Sequence, residues 1–284
     1  MTVLRLPAPA KINLVLDVLG KRDDGYHEIA TVLHTLAWGD TLVFRPSARG
    51  LQLRCPHPGV PTDEGNLVAR AARVLAKELG IRDPGVRIEL VKRIPVGAGL
   101  GGGSSDAATA LKGLLTWWGR SLSPARLRRV AADLGSDVPF FLGGGCALAR
   151  GRGERLRPWP SVPGLRVALV NPGIFVSTSE VYRGIKKPLT SQGNYINLLR
   201  PAIKAKNPYK IGENLYNRLE RVTLARYPVV ERIKTELLAC GATSALMSGS
   251  GPSVFALVPS PEVGREIIRR LGPRYPFVRI TKTA

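Results

Sequence analysis

The sequence predicts an α+β protein built from two domains. A chain of 284 residues, 44% of them hydrophobic, is long enough to bury two cores. Strand-like alternation and helix-like periodicity both occur before residue 150, and both occur again after residue 164. A stretch rich in Arg and Pro, residues 150–163, separates the two parts. We therefore expect domains at residues 1–157 and 158–284.

The first domain opens with sheet-like segments and continues with helices. Two short apolar runs, 14–16 and 41–44, are separated by a turn with Asp-Gly chemistry at Asp24-Gly25. Asn66 and Gly80 are typical residues for the start and the end of a helix, and Ser123-Pro124 is a typical helix start. The predicted elements are strands at 14–16, 41–44 and 86–91 and helices at 67–79, about 106–118 and 124–134.

The second domain resumes with an apolar strand and then mixes helices and strands. Residues 184–212 are basic, polar and weakly patterned, so their structure cannot be derived from periodicity. The predicted elements are strands at 165–170 and 253–258 and helices at 214–219, 229–238 and 261–271.

The chain carries a large positive charge. Its 42 Lys and Arg residues against 21 Asp and Glu residues give a formal net charge of +21, which raises nucleic-acid binding as one hypothesis. The basic residues are spread along the chain, only 6% of residues are aromatic, and no nucleic-acid-binding motif occurs with its expected spacing. A solvated basic surface is therefore favoured, and an anionic substrate such as ATP also suits this field.

Cysteine usage and the N-terminal stretch indicate the compartment. The three cysteines, Cys55, Cys146 and Cys240, are far apart and show no metal-ligand spacing, so we expect a reducing, cytoplasmic environment and no zinc site. Residues 1–20 are interrupted by proline and charge, which fits neither a signal peptide nor a membrane span.

The strongest chemical signal is a glycine-rich loop between a predicted strand and a predicted helix. Five glycines fall in the seven positions from Gly97 to Gly103, where backbone N–H groups could approach a phosphate closely. The alternative is a tight turn in which Ser104 or Ser105 caps the helix with no ligand. The loop lacks the Lys of a Walker A motif, and no acidic residue follows where a dinucleotide fold needs one.

This loop resembles the signature of the GHMP small-molecule kinases, Pro-x-Gly-x-Gly-Leu-Gly-Gly-Gly-Ser-Ser. Three further segments, 9–14, 24–29 and 135–141, narrow the resemblance to a kinase that phosphorylates the 2-hydroxyl of a methylerythritol carried on cytidine diphosphate, a step of the non-mevalonate isoprenoid pathway. Residues 248–255 are similar to the family's C-terminal motif, which folds back near the phosphate loop. The resemblance implies the two-domain GHMP kinase fold, with the active site in the cleft between the domains.

The resemblance also implies roles for individual residues. Lys11 and Asp137 match the family's catalytic pair, in which the ammonium keeps the carboxylate ionised and holds the acceptor oxygen. Mg²⁺ is expected with ATP, and Ser105 is the one residue that we nominate as a contact to the metal. The expected ATP-binding residues form one continuous stretch: Pro95, Val96, Gly97, Ala98, Gly99, Leu100, Gly101, Gly102, Gly103, Ser104 and Ser105.

Four residues are expected to bind the acceptor. Asn13, Tyr26 and His27 match family positions at the cytidine diphosphate end, and Tyr182 is expected to face Tyr26 across the base. The expected partner is thus a small molecule rather than a nucleic acid or a membrane, and the protein is expected to be a monomer or a homodimer. Other GHMP kinases, acting on homoserine or mevalonate, are the alternative, and a basic nucleic-acid-binding protein is the alternative from another class.

Overall fold

The structure, a computed structural model, describes residues 3–185 and 194–284. Its strands are β1 (Leu4–Lys21), β2 (His27–Pro46), β3 (Leu51–Arg54), β4 (Val86–Val91), β5 (Cys146–Gly151), β6 (Arg155–Pro158), β7 (Arg166–Asn171), β8 (Tyr216–Asn217), β9 (Ser244–Met247), β10 (Val254–Leu257) and β11 (Phe277–Lys282). Its helices are α1 (Leu67–Leu79), α2 (Gly102–Trp117), α3 (Pro124–Leu134), α4 (Val138–Gly143), α5 (Thr178–Arg183), α6 (Tyr195–Lys204), α7 (Pro208–Glu213), α8 (Glu220–Arg226), α9 (Pro228–Ala239) and α10 (Pro261–Leu271). The mixture of helices and sheets confirms the predicted fold class.

The first compact unit comprises Met1–Ala10, Trp38–Val96 and Gly101–Gly144. In it, β4 pairs antiparallel with β2 and parallel with β3. Helix α2 packs so tightly on this sheet that a methyl group on Gly113 would collide with the Phe44 ring. Helices α1 and α4 contact α2 in turn. The helix that follows the glycine-rich loop is therefore held firmly along its length.

The second compact unit comprises Lys11–Ala37, Gly97–Leu100 and Gly145–Ala284. Here β5 pairs antiparallel with β2 and with β6, and β8 pairs parallel with β1. A separate antiparallel sheet has the order β11-β7-β10-β9, and helices α9 and α10 pack against it over a buried apolar core. Strands β1 and β2 supply residues to both units. The domain boundary that the sequence predicts after residue 157 stays a prediction.

Most predicted elements appear where local patterns place them. The predicted helices at 67–79, 124–134 and 261–271 and the strand at 86–91 match α1, α3, α10 and β4. The segment 184–212 contains α6 and all but the last residue of α7, and its residues 186–193 lie outside the described part. No helix among the described residues has both the length and the apolar character needed to cross a membrane.

The helix predicted at 214–219 is wrong. Tyr216 and Asn217 form β8 beside β1, and a helix begins only at Glu220. The Asn217 side-chain amide donates to the carbonyls of Met247 and Gly249, both at 2.7 Å, and its oxygen accepts from the Leu219 N–H. These bonds to distant segments override the local helical preference.

A buried histidine links β2 to the chain that follows β6. His34 is fully buried, the Val162 N–H donates to its Nε2 at 3.3 Å, and its Nδ1 lies 2.9 Å from the Thr35 carbonyl. An N–H donor at Nε2 requires a neutral ring with its proton on Nδ1. Burial lowers the pKa of His34.

We expect His34 to make the protein less stable in mild acid. Because its folded pKa lies below the unfolded value of about 6.5, the unfolded state binds more protons between those two values. The contribution of the neutral His34 ring to the free energy of unfolding is complete above about pH 6.5 and is lost progressively as the pH falls toward the folded pKa. Urea unfolding between pH 5 and 8 should give a smaller pH slope for His34→Gln than for the wild type. Equal slopes would contradict this assignment.

Candidate active site

The glycine-rich loop folds in a way that only glycine accommodates easily. Gly97, Gly99 and Gly101 have φ angles of +65°, +74° and +73°, in the left-handed region. Helix α2 starts at Gly102, earlier than the predicted residue 106, and its N-cap residue Gly101 makes no side-chain capping bond. The alternative in which a serine caps this helix is therefore not what the structure shows. The N–H groups of the first turn have no intrahelical partner and can bind an anion.

A second loop, residues 248–253, braces the glycine-rich loop. The Ser248 hydroxyl donates to the Gly99 carbonyl at 3.0 Å, and the Ser253 N–H donates to the Ala98 carbonyl at 3.3 Å. A methyl group on Gly99 would collide with the Ser248 carbonyl. The expectation that the C-terminal motif folds back near the phosphate loop is confirmed by these contacts.

Lys11 is buried beside this loop. Its side chain and backbone are only 4% exposed, so it is not a lysine extended over the surface. Its ammonium donates to Asn13 Oδ1 at 2.7 Å, and its N–H donates to the Leu100 carbonyl at 3.0 Å. Asn13 in turn donates to the Thr31 hydroxyl at 2.8 Å. The structure thus brings Lys11 and Asn13 together and fixes both next to the glycine-rich loop.

Asp137 lies in the first unit, directly before α4. It occupies the N-cap position, yet its carboxylate makes no capping bond to that helix. Val138 and Phe141 of α4 are buried, and Lys112 of α2 donates to the Phe141 carbonyl at 3.0 Å. Packing of α4 on α2 therefore fixes the backbone on which Asp137 stands.

A buried charge cluster, which the sequence did not reveal, stands under the start of α2. The Lys92 ammonium contacts the Asp40 carboxylate and lies 2.8 Å from Asp106 Oδ2, and all three side chains are at most 6% exposed. Asp40 also accepts from the Ile94 N–H at 2.9 Å. The cluster ties the residues that lead into the glycine-rich loop to the first helical turn that follows it.

In this cluster, burial and ion pairing shift the pKa values of Asp106 and Lys92 in opposite directions. Burial raises the pKa of Asp106 to about 7, and Lys92 acts in the opposite direction. Burial also works against the charged form of Lys92, but the carboxylates of Asp106 and Asp40 raise the pKa of this ammonium above its usual value. Lys92 therefore stays charged, as a buried cation between two carboxylates should.

Two oxygens at the start of α2 suit a hard cation. The Ser105 hydroxyl and Asp106 Oδ1 are buried, and neither has a hydrogen-bond partner within the described part of the chain. Oxygen donors of this kind are the ligands that Mg²⁺ prefers. Within residues 3–185 and 194–284, this site included, no group of three or more His, Cys, Asp or Glu side chains could hold a metal ion.

Three of the four predicted acceptor residues, Tyr26, His27 and Tyr182, lie around the turn between β1 and β2, whereas Asn13 lies within β1 beside Lys11. Tyr26 is 53% exposed, and its N–H donates to Asp24 Oδ1 at 3.1 Å. The rings of His27 and Tyr182 lie 5.3 Å apart at an interplanar angle of 33°. Partial burial lowers the pKa of His27, and the Lys21 charge adds to the effect. A neutral imidazole can both donate and accept a hydrogen bond, as recognition of a base edge requires.

The sequence of this chain matches models of a known protein family. The model of the GHMP kinases N terminal domain matches residues 66–145, and that of the GHMP kinases C terminal domain matches residues 199–276. The 4-diphosphocytidyl-2-C-methyl-D-erythritol kinase of Pelotomaculum thermopropionicum is 46% identical over 99% of this chain and 98% of its own. The enzyme of the same name from Moorella thermoacetica is 44% identical over the full length of both chains.

A solved structure is similar over the whole chain. The crystal structure of a 4-(cytidine 5'-diphospho)-2C-methyl-D-erythritol kinase has a TM-score of 0.86 and 34% sequence identity, and the match covers 99% of each chain. This chain matches the family models of both the N-terminal and the C-terminal domain. It also has the glycine-rich loop, braced by residues 248–253, and the buried Lys11 beside that loop. This chain belongs to the GHMP kinase family.

Proposed function

We propose that this chain transfers the γ-phosphoryl group of ATP to the 2-hydroxyl of 4-diphosphocytidyl-2-C-methyl-D-erythritol. The observation that carries the proposal is the buried Lys11, which hydrogen-bonds Asn13 and the backbone of Leu100 in the glycine-rich loop. Identity of 44% to 46% with kinases that bear this substrate's name supports the choice of acceptor. The three cysteines are free, which supports a location in the reducing cytoplasm. We also propose that the protein is a monomer or a homodimer and that it has no nucleic-acid or membrane partner.

In the proposed reaction, residues 95–105 hold the triphosphate through backbone N–H groups. Asp137 accepts the proton of the acceptor hydroxyl while the hydroxyl oxygen attacks the γ-phosphorus, and ADP leaves. Lys11 supplies fixed positive charge for the transition state. Mg²⁺, when bound, neutralises phosphate charge, and Ser105 and Asp106 are the residues that would hold it.

The acceptor is proposed to bind at the turn between β1 and β2. Tyr26 offers an exposed ring for the cytosine, the neutral ring of His27 offers hydrogen bonds to its edge, and Tyr182 packs beside His27. Asn13 is proposed to contact the acceptor from its place in β1, next to Lys11. ATP consumption against a panel of alcohols, including the cytidine-linked methylerythritol, homoserine and mevalonate, tests the proposal directly. Equal consumption with alcohols that lack the cytidine group would refute it.

Replacing Tyr26 by alanine should weaken binding of the acceptor alone. Base stacking contributes about 1 to 3 kcal/mol, so KM for the cytidine substrate should rise about 5- to 150-fold while KM for ATP stays almost unchanged. Tyr26→Phe should restore most of the loss because the ring is retained. Tyr209, a second exposed tyrosine, provides a matched control, since Tyr209→Ala should leave both constants unchanged. Weaker ATP binding by Tyr26→Ala would contradict the assignment.

A further inference from the structure

A short hairpin turn beside Tyr26 is fixed by two carboxylates. Strands β5 and β6 are joined through Arg152, flanked by Gly151 and Gly153 at φ angles of +76° and +116°. The Gly151 N–H donates to Glu28 Oε1 at 3.1 Å, and the Arg152 N–H donates to Glu154 Oε2 at 2.7 Å. The backbone that carries Arg152 is thus held in place between two buried glycines, while the Arg152 side chain is partly exposed.

The Arg152 side chain extends over the Tyr26 ring. Its guanidinium carbon lies 4.9 Å from the ring centroid, within range of a cation–π interaction. Within residues 3–185 and 194–284, no carboxylate forms an ion pair with this guanidinium. By contrast, Arg22 and Arg155 are both paired with Glu28, at 2.8 and 3.0 Å. A hydrogen bond from Arg22, with a smaller contribution from the Arg152 charge, lowers the pKa of the nearby Asp24 carboxylate. Arg152 is therefore a positioned cation that has an acidic neighbour but no ion pair among the described residues.

We propose that Arg152 binds the diphosphate of the acceptor and so selects a nucleoside diphosphate over a nucleoside. This inference rests on the proposed function, in which a cytosine stacks on Tyr26. A ligand whose base lies on that ring brings its phosphates near the surrounding side chains, and a guanidinium fork matches phosphate oxygens in two parallel hydrogen bonds. Contact with the Tyr26 face pre-orients the fork, which reduces the entropy lost on binding.

A competing explanation gives Arg152 no contact with phosphate. The guanidinium could simply cover one face of Tyr26 and shape the stacking surface. In that case its removal would change the affinity for cytidine and for cytidine diphosphate by the same factor. The ratio of the two affinities therefore separates the explanations, whereas turnover alone would not.

The experiment measures the dissociation constants of cytidine diphosphate and cytidine by calorimetry. Saturating non-hydrolysable ATP analogue is present throughout, so that the diphosphate cannot occupy the ATP loop. The proteins are the wild type, Arg152→Gln, Arg152→Lys and Arg150→Gln. Arg150 is an exposed residue two positions away in β5, so its variant removes the same charge without touching Tyr26.

Arg152→Gln should reduce the preference for the diphosphate about 10- to 100-fold, the factor that corresponds to loss of hydrogen bonds to a charged group, with cytidine affinity nearly unchanged. Arg152→Lys should keep an intermediate preference because it retains a point charge without the fork. Arg150→Gln should match the wild type, and melting temperatures confirm that each variant is folded.

Other outcomes overturn the inference in distinguishable ways. An unchanged preference in Arg152→Gln, or equal weakening of both ligands, removes the diphosphate contact but leaves the proposed kinase activity standing. A comparable loss in Arg150→Gln assigns the effect to general surface charge. If the wild type binds neither ligand, the cytidine-linked acceptor itself is wrong, and the role of Arg152 falls with it.

Discussion

Asp137→Asn is expected to lower kcat by about 10²- to 10⁴-fold, the usual contribution of a general base, while KM for ATP stays close to the wild-type value. Asparagine keeps the shape of the side chain but cannot accept the hydroxyl proton. Because the Asp137 carboxylate does not cap α4, the substitution should leave that helix intact. Steady-state kinetics with ATP and the cytidine-linked alcohol measure both constants.

Asp133 offers a matched control for this variant. It is an exposed aspartate on α3 in the same unit, and Asp133→Asn should behave like the wild type in turnover and in thermal melting. Turnover of Asp137→Asn within a few fold of the wild type would remove Asp137 from the chemistry. A large drop in melting temperature would instead show that the carboxylate supports the fold.

Local patterns predicted those elements whose limits are set by their own residues. Helix α1 is capped at its start by Asn66, whose side chain accepts from the Val68 N–H, and at its end by Gly80, which has a φ angle of +67°. Capping residues therefore mark both ends in the sequence. Helix α2 has no capping side chain and begins among glycines, which are poor helix formers. Its start was therefore predicted too late.

The residues of the candidate site also differ in whether the sequence alone could reveal them. The glycine-rich loop and Lys11 carry a family pattern in consecutive residues, which a single sequence reveals. The cluster of Lys92, Asp40 and Asp106 joins residues 52 and 14 positions apart, and no short motif contains it. Only the pairing of β4 with β2 and the start of α2 bring these charges together. Contacts that depend on topology could not be derived from periodicity.

Gly103→Val is expected to weaken ATP binding at least about 10²-fold while the fold survives, because a branched side chain would displace phosphate from charge-assisted hydrogen bonds worth about 1.5 to 3 kcal/mol each. Gly103 is the right position for this test. It is exposed, lies in the first turn of α2 with helical backbone, and an added Cβ would make only an ordinary contact with Leu67 at 3.6 Å. Gly101, at a φ of +73°, would add backbone strain to any effect on the ligand.

Two further glycines separate lost phosphate binding from lost structure. Gly143, in α4, has open space around an added Cβ, so Gly143→Val should leave ATP affinity unchanged. At Gly99 an added Cβ would collide with the Ser248 carbonyl, so Gly99→Ala should lower the melting temperature as well as ATP affinity. Calorimetric titration of ATP and thermal melting of all three variants give the required comparison. If Gly103→Val binds ATP as the wild type does, the first turn of α2 does not touch the triphosphate, and the glycines there serve only the turn.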